Sequence, residues 1–274
     1  MRILIFGASG FIGNYLTNYL VERNYIVIEA SRSDFASNLH SIKIKWRLGD
    51  EVPNSIFKDV DFVIHLAHDF SGLRGAELTK KNILLLIKQA QNMGVSRQLF
   101  FSSYSAGVHS NSIYGLTKFE IENHIKFDNL KVQILRPGLV IGSGGIYGKI
   151  SRYAKKVPVI LLPDGGKGFV PTISIKRLCD EVVIIMQNNS TKREFNLFYP
   201  KLHSLRYLIK SEMMKKWKYI LIINIPSSFL IFLLRIAEFL KLTLPINSDN
   251  LKGFLRNQNA LHISDLKDQD EKYF

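Results

Sequence analysis

From Arg2 onward, short apolar runs alternate with longer stretches in which apolar residues recur at every third or fourth position. Arg2–Phe6 (RILIF) predicts a buried strand, and Phe11–Arg23 a helix with Ile12, Leu16, Tyr19 and Leu20 on one face. Tyr25–Ala30 predicts a second strand, Lys43–Trp46 a short third and Asp61–Ala67 a fourth. Leu78–Met93 has a helical pattern that closes at Gly94, where a left-handed cap is needed. Gln98–Ser102 gives a fifth strand, Tyr114–Ile125 a helix, and Val132–Leu135 a sixth strand ended by Arg136-Pro137-Gly138. Strands alternating with helices predict an α/β fold, a doubly wound parallel sheet with helices on both faces.

After about residue 142 the rhythm changes. Glycine turns (GSGGIYG, PDGGKG) and Pro158, Pro163 and Pro171 interrupt irregular stretches. Ile173–Asn188 is helical in pattern, and 195–274 reads as a last block of short helices. The expected division is a nucleotide-binding domain over 1–141, joined by about 172–190, and a smaller substrate-binding lobe over 142–171 and 191–274. The most apolar stretch, Tyr219–Leu234, is interrupted at Pro226-Ser227-Ser228 and followed by Arg235 and Glu238. It falls short of the ~20 apolar residues that cross a bilayer, and a packed strand and helix is the better reading; contact with a membrane surface is the lesser one.

Composition adds little to this. At 274 residues, 46% hydrophobic and 22% charged, the chain is ordinary globular material with enough length for a sizeable core. The formal charge of +14 invites a nucleic-acid reading, but the lysines are scattered and no nucleic-acid motif accompanies them. The charge favours an anionic small molecule instead. The lone cysteine, Cys179, forms no internal disulfide, sits in an apolar helical pattern and fits a reducing cytoplasm. The glycine turn at residue 7 occupies the place of a cleavable leader, so a cytoplasmic location is expected. No metal site is expected.

The candidate chemistry begins at GASGFIG, residues 7–13. Gly7 permits a tight exit from the first strand, Gly10 leaves space where a side chain would meet a phosphate, and Gly13 lets the helix pack closely. The helix amino terminus offers N–H groups to a pyrophosphate, with Ser9, Phe11 and Ile12 beside it. The end of the second strand selects between nicotinamide cofactors. A carboxylate there bonds a ribose 2′-OH, whereas cations accommodate a 2′-phosphate. Ser31 falls at the ribose position with Arg32 beside it, and Glu29 comes two residues early. NADP is therefore expected; NAD, with Glu29 taking the ribose, is the alternative.

Residues 99–118, LFFSSYSAGVHSNSIYGLTK, carry the second candidate. Tyr114 and Lys118 lie four apart on a helix, hence one turn apart on one face. A free phenol titrates near ~10; a nearby ammonium and an oxidised nicotinamide both favour the phenolate. A serine at the preceding strand end can hold a reacting carbonyl oxygen beside the tyrosine.

Taken with DVDFVIHLAH, FFSSYSAG, YGLTKFEIE and LRPGLVIG, these motifs resemble the extended short-chain dehydrogenase/reductases. The branch is that of NAD(P)-dependent nucleotide-sugar epimerases, dehydratases and reductases, with a Rossmann-type sheet. The resemblance implies Tyr114 as acid/base, Lys118 as the ribose-binding and tuning lysine, and Ser103 as the carbonyl-binding hydroxyl, with Ser105 as its alternative. It places Asp50 near adenine, Leu66 and Ala67 along the cofactor groove, and Pro137 and Gly138 beside the nicotinamide. It also implies a nucleotide-sugar substrate, and helix-pair homodimers are frequent in the family. His68 departs from the small residue usual after His-Leu-Ala. The helix at 78–93 lacks the frequent Gly-Thr pair, and ISIKRLCDE lacks the usual histidine and aspartates. With NADP expected, reduction of a 4-keto-6-deoxy sugar nucleotide for surface polysaccharide is the first functional reading. A 4-epimerase acting on a nucleotide- or lipid-diphosphate-linked sugar is the second. A cofactor-binding relative without catalysis is the third, opposed by the intact serine, tyrosine and lysine.

Overall fold

A computed structural model describes residues 1–33, 38, 40–188, 191–242, 244–256 and 263–266. In chain order the elements begin with β1 (Arg2–Phe6), α1 (Phe11–Val21), β2 (Ile26–Ser31), β3 (Ile42–Lys45) and β4 (Phe62–His65). Next come α2 (Gly72–Asn92), β5 (Gln98–Phe101), α3 (Ile113–Phe127) and β6 (Gln133–Pro137). The middle of the chain forms β7 (Leu139–Ile141), α4 (Gly145–Ala154), β8 (Val159–Pro163), β9 (Phe169–Val170), β10 (Thr172–Ser174) and α5 (Ile175–Gln187). The last part forms β11 (Glu194–Leu197), β12 (His203–Ser204), α6 (Leu205–Met214), β13 (Leu221–Ile225), α7 (Ser227–Phe239) and α8 (Ser248–Arg256).

The main sheet has seven strands in the order β11-β6-β5-β4-β1-β2-β3. The pairings from β3 through to β6 are all parallel. Central β1 is buried from Ile3 to Phe6, which is why its sequence is an unbroken apolar run. Edge strand β3 reads IKIK, with no residue fully buried. The strand order reverses between β1 and β4, the topological switch where sheets of this class bind ligands at their carboxyl ends. Both the glycine turn after β1 and the Leu66-Ala67 exit from β4 stand at that switch.

By its internal contacts the chain divides into two compact units. One is Met1–Val108, Ile113–Arg136 and Ile175–Phe195; the other is His109–Ser112, Pro137–Ser174 and Asn196–Phe274. The first holds a core in which Phe6, Phe57, Val63, Ile83, Phe100 and Ile121 are buried together. The second is built on Leu162, Val170, Leu205, Leu208, Ile209 and Met213. Cys179 is buried on α5, and burial pushes its thiol up to about 12, as suits a packing residue. Among the described residues no helix is long and apolar enough to cross a membrane.

Two elements differ from the sequence expectation. Helix α2 starts at Gly72, not Leu78. Its first turn (GLRGAE) buries only small Gly75 and Ala76, so it lacks the large apolar positions that mark a helix. A Cβ on Gly75 would lie 2.7 Å from the Asp69 carbonyl oxygen, so a close fit of that turn replaces bulk. The block from 195 is not helical throughout: β11 joins the edge of the main sheet, β12 pairs with β9, and β13 pairs with β8. Within Tyr219–Leu234 the expected strand and helix are present as β13 and the start of α7.

Candidate active site

Each glycine of the first turn has a separate reason to be glycine. Gly7 has φ +91°, and a Cβ there would lie 2.6 Å from the Ala67 backbone nitrogen. The turn is thus seated on the exit of β4, bringing Gly7, Leu66 and Ala67 together. At Gly13 a Cβ would come within 2.5 Å of the Gly7 carbonyl oxygen and 2.8 Å of Ala8 Cα. The close approach is to the turn itself and not only to the sheet. Gly10 is different: it is exposed, and its added Cβ would meet only the Gly7 oxygen, at 3.3 Å. The protein itself crowds that position least of the three, and its exposed side fits a bound phosphate. Gly10 also caps α1 with no side-chain hydrogen bond, and no acidic residue stands in the first turn. The N–H groups at Phe11 and Ile12 therefore point a partial positive charge at that space, with exposed Ser9 next to them.

At the end of β2, Glu29 is fully buried and turned to structural use, accepting from the Ser41 hydroxyl and from the Asn38 N–H at 3.3 Å. Ser31 is also buried, and the Lys43 ammonium donates to its hydroxyl oxygen. Arg32 is exposed beside it. Lys43 was not singled out in the sequence, because an IKIK edge strand reads as a solvated face. The parallel register pairs Glu29 with Lys43 and Ser31 with Lys45, from which Lys43 reaches forward to Ser31.

Helix α3 carries Tyr114, Lys118 and Glu122 at four-residue spacing on one face. Tyr114 hydrogen-bonds Ser103, and the Ser103 and Ser105 hydroxyls are 2.9 Å apart. Ser103 is thus the serine next to the phenol, with Ser105 one step behind. Ser102 is engaged elsewhere: its hydroxyl donates to buried Glu122, which also pairs with both Nε and Nη2 of Arg136. That network pins α3 to the ends of β5 and β6. Lys118 is buried; its ammonium donates to the Phe101 carbonyl at 2.7 Å and lies 5.7 Å from the centre of the Tyr114 ring.

Burial governs the titration of this cluster. It pushes Tyr114 up to about 12, only partly offset by the Ser103 hydrogen bond, and pushes Lys118 down to about 7 against the pull of Glu122. Desolvation outweighs the Ser103 hydrogen bond, so the phenol holds its proton at neutral pH when no cofactor is bound. An aromatic wall that the sequence did not reveal stands beside it. His68 meets Tyr114 edge-on at 4.8 Å and 81°, and exposed Phe70 stacks on Tyr114 at 5.7 Å and 18°. Burial, with repulsion from Lys118, lowers His68 to about 3, and its buried Nδ1 has no hydrogen-bond partner among the described residues.

The remaining candidates are Asp50, Pro137 and Gly138. Asp50 closes the turn after β3, accepting from the Arg47 N–H at 2.8 Å. Pro137 and Gly138 fall at the start of the second unit, where a Cβ on Gly138 would be 2.5 Å from the Pro171 carbonyl oxygen.

Residues 3–197 match the model of the NAD dependent epimerase/dehydratase family. The chain belongs to that family. Its members are enzymes of the extended short-chain dehydrogenase type, in agreement with the motifs around Gly7 and Tyr114. A probable dTDP-glucose 4,6-dehydratase of Sinorhizobium fredii is 30% identical over 42% of this chain and 39% of its own length. The match therefore spans well under half of that relative. Among solved structures, a UDP-glucose 4-epimerase of Thermotoga maritima, with UDP-glucose, superposes with a TM-score of 0.67 at 18% identity, covering 94% of this chain and 98% of that one. An NAD-dependent NDP-hexosamine 5,6-dehydratase of tunicamycin biosynthesis gives 0.67 at 17%, covering 82% and 84%. These two likenesses establish the fold.

Proposed function

We propose that the protein reduces a keto-sugar carried on a nucleoside diphosphate, using NADPH, as a step toward a deoxysugar for surface polysaccharide. The observation that carries this reading is the end of β2. Buried Glu29 is committed to Ser41 and Asn38, while Lys43 and Arg32 supply positive charge around Ser31. A carboxylate at this position would repel a 2′-phosphate; two cations and a hydroxyl attract it. The nucleotide-sugar class is supported by family membership and by the dehydratase relative, whose substrate is dTDP-glucose.

Each residue then has a task. The N–H groups of the glycine turn hold the pyrophosphate, and Lys118 holds the nicotinamide ribose. A nicotinamide, when bound, supplies a hydride to the substrate carbonyl carbon. Ser103 donates a hydrogen bond to the carbonyl oxygen, and Tyr114 gives that oxygen its proton as the ketone becomes an alcohol. The high proton affinity of the phenol suits this direction, since it stays charged with its proton until negative charge develops on the substrate oxygen. Solvent then restores the proton to Tyr114.

Fluorescence titration of the whole chain with NADPH and NADH tests the reading. Tighter NADPH, with the preference lost in Lys43→Gln and Arg32→Ala, is the expected result. Tighter NADH would remove the argument for a reductase.

A further inference from the structure

Strands β8 and β13 of the second unit form a parallel two-stranded ribbon, with Leu221 opposite Val159 and Ile223 opposite Leu161. Alternate residues of a strand face opposite sides. Leu162 is buried in the core of the unit, and Ile160 and Ile222 pack against it. The other side is also aliphatic, and Val159, Leu161, Leu221 and Ile223 are exposed on it. A ribbon that only needed to cover its own core would be polar outside.

The parallel register also places two lysine runs at one end of the ribbon. Lys155 and Lys156 lead into β8, and Lys215, Lys216 and Lys218 lead into β13. The runs are joined: the Lys216 ammonium donates to the Lys155 carbonyl at 2.7 Å, and Leu221 N–H donates to Pro158 at 2.8 Å. All five lysines are exposed, the Lys215 ammonium pairing with Glu212, and Tyr219, 79% exposed, stands between them and the aliphatic face.

Helix α7 repeats the pattern. Leu230, Leu234 and Ala237 face inward, yet Phe229, Phe232, Ile236 and Phe239 are exposed on the opposite side. Of its two charged residues, Glu238 is used to hold Ser248, leaving Arg235 outward, followed by exposed Lys241. A helix apolar on both faces needs an apolar environment on both.

We propose that the exposed apolar sides of the β8–β13 ribbon and of α7 dock on a membrane surface rich in anionic lipid. Aliphatic side chains enter the acyl boundary, Tyr219 sits at headgroup level, and the lysines neutralise lipid phosphates. The charge decides the occupant, since positive runs at one end of an apolar face complement a negatively charged bilayer. The inference does not depend on which sugar is reduced, and it would bring the enzyme to the surface where lipid-linked sugars are assembled.

Co-sedimentation of the full chain with phosphatidylcholine vesicles, with and without phosphatidylglycerol, tests it. The chain is expected to partition onto the anionic vesicles alone. Binding should weaken roughly a hundredfold in K155Q/K156Q/K218Q and at least about tenfold in F229S/F232S/F239S. K58Q/K81Q/K131Q, which removes the same charge from the first unit, should change it less than about twofold. NADPH titration of each variant verifies that the chain is folded. No partition onto anionic vesicles, or an equal loss from the matched lysine set, would overturn the proposal. So would a wild-type dimer that the phenylalanine variant splits, because the face would then be a subunit contact.

Discussion

The imidazole of His68 lies edge-on to the phenol ring of Tyr114, their centres 4.8 Å apart. Among the described residues its buried Nδ1 has no partner, and His65, at the end of β4, is likewise buried with an unpartnered Nδ1. Both are held neutral, with His65 lowered to about 4 and His68 to about 3, chiefly by burial.

A pH dependence of stability follows from these two groups. The unfolded chain binds a proton at each histidine near 6.5, while the folded chain refuses it until about 4 and about 3. Between those limits the unfolded state holds more protons, so stability is full above pH 6.5 and is lost as pH falls. The expected slope is up to about 1.4 kcal/mol per pH unit for each histidine. Urea melts across this range should show it, and His68→Phe should remove about half of the slope. An unchanged slope would mean that His68 is solvated in the folded state.

The glycines of the first turn should separate by phenotype. Gly13→Ala must displace the Gly7 carbonyl and the Ala8 backbone, and is expected to cost roughly 1–3 kcal/mol. Gly10→Ala presses only on the Gly7 carbonyl oxygen, at 3.3 Å, and replaces a favoured N-cap residue, so it should fold with a loss of about 0.5–1 kcal/mol. Its dinucleotide affinity should nonetheless fall tenfold or more. Thermal melts paired with NADPH titration distinguish the two; equal affinity losses without a stability difference would contradict the assignment.

Glu122 anchors the catalytic helix. Its side chain is fully buried between Ser102 and Arg136. Glu122→Ala leaves a half-buried guanidinium without its strongest partner and should destabilise the fold by about 3 kcal/mol. It also removes the negative charge that raises Lys118, so the Lys118 ammonium should titrate lower still. A chemical-denaturation midpoint and a pH titration of cofactor binding measure the two effects.

Much of the fold was legible because the parallel sheet writes itself plainly. β1 is apolar from Ile3 to Phe6 since it is covered on both faces, and the Tyr114–Lys118 spacing has meaning once a helix follows a serine-ended strand. What escaped was set by tertiary contact. The start of α2 was hidden because Gly75 replaces bulk with close fit. Lys43 looked like an edge lysine until the register carried it to Ser31. The wall made by His68 and Phe70 joins the exit of β4 to α3 across residues distant in sequence. Spacing reveals an ammonium near Tyr114 but not the desolvation of the phenol, which raises its proton affinity in the chain without cofactor.

The most direct test of the central claim is to supply a 4-keto-6-deoxy sugar nucleotide and follow nicotinamide absorbance and sugar product together. The expected result is NADPH consumed mole for mole with ketone by the wild-type chain. Tyr114→Phe should lose at least about a hundredfold in turnover and bind NADPH as before. Product formed without net NADPH oxidation, or full turnover in Tyr114→Phe, would contradict it.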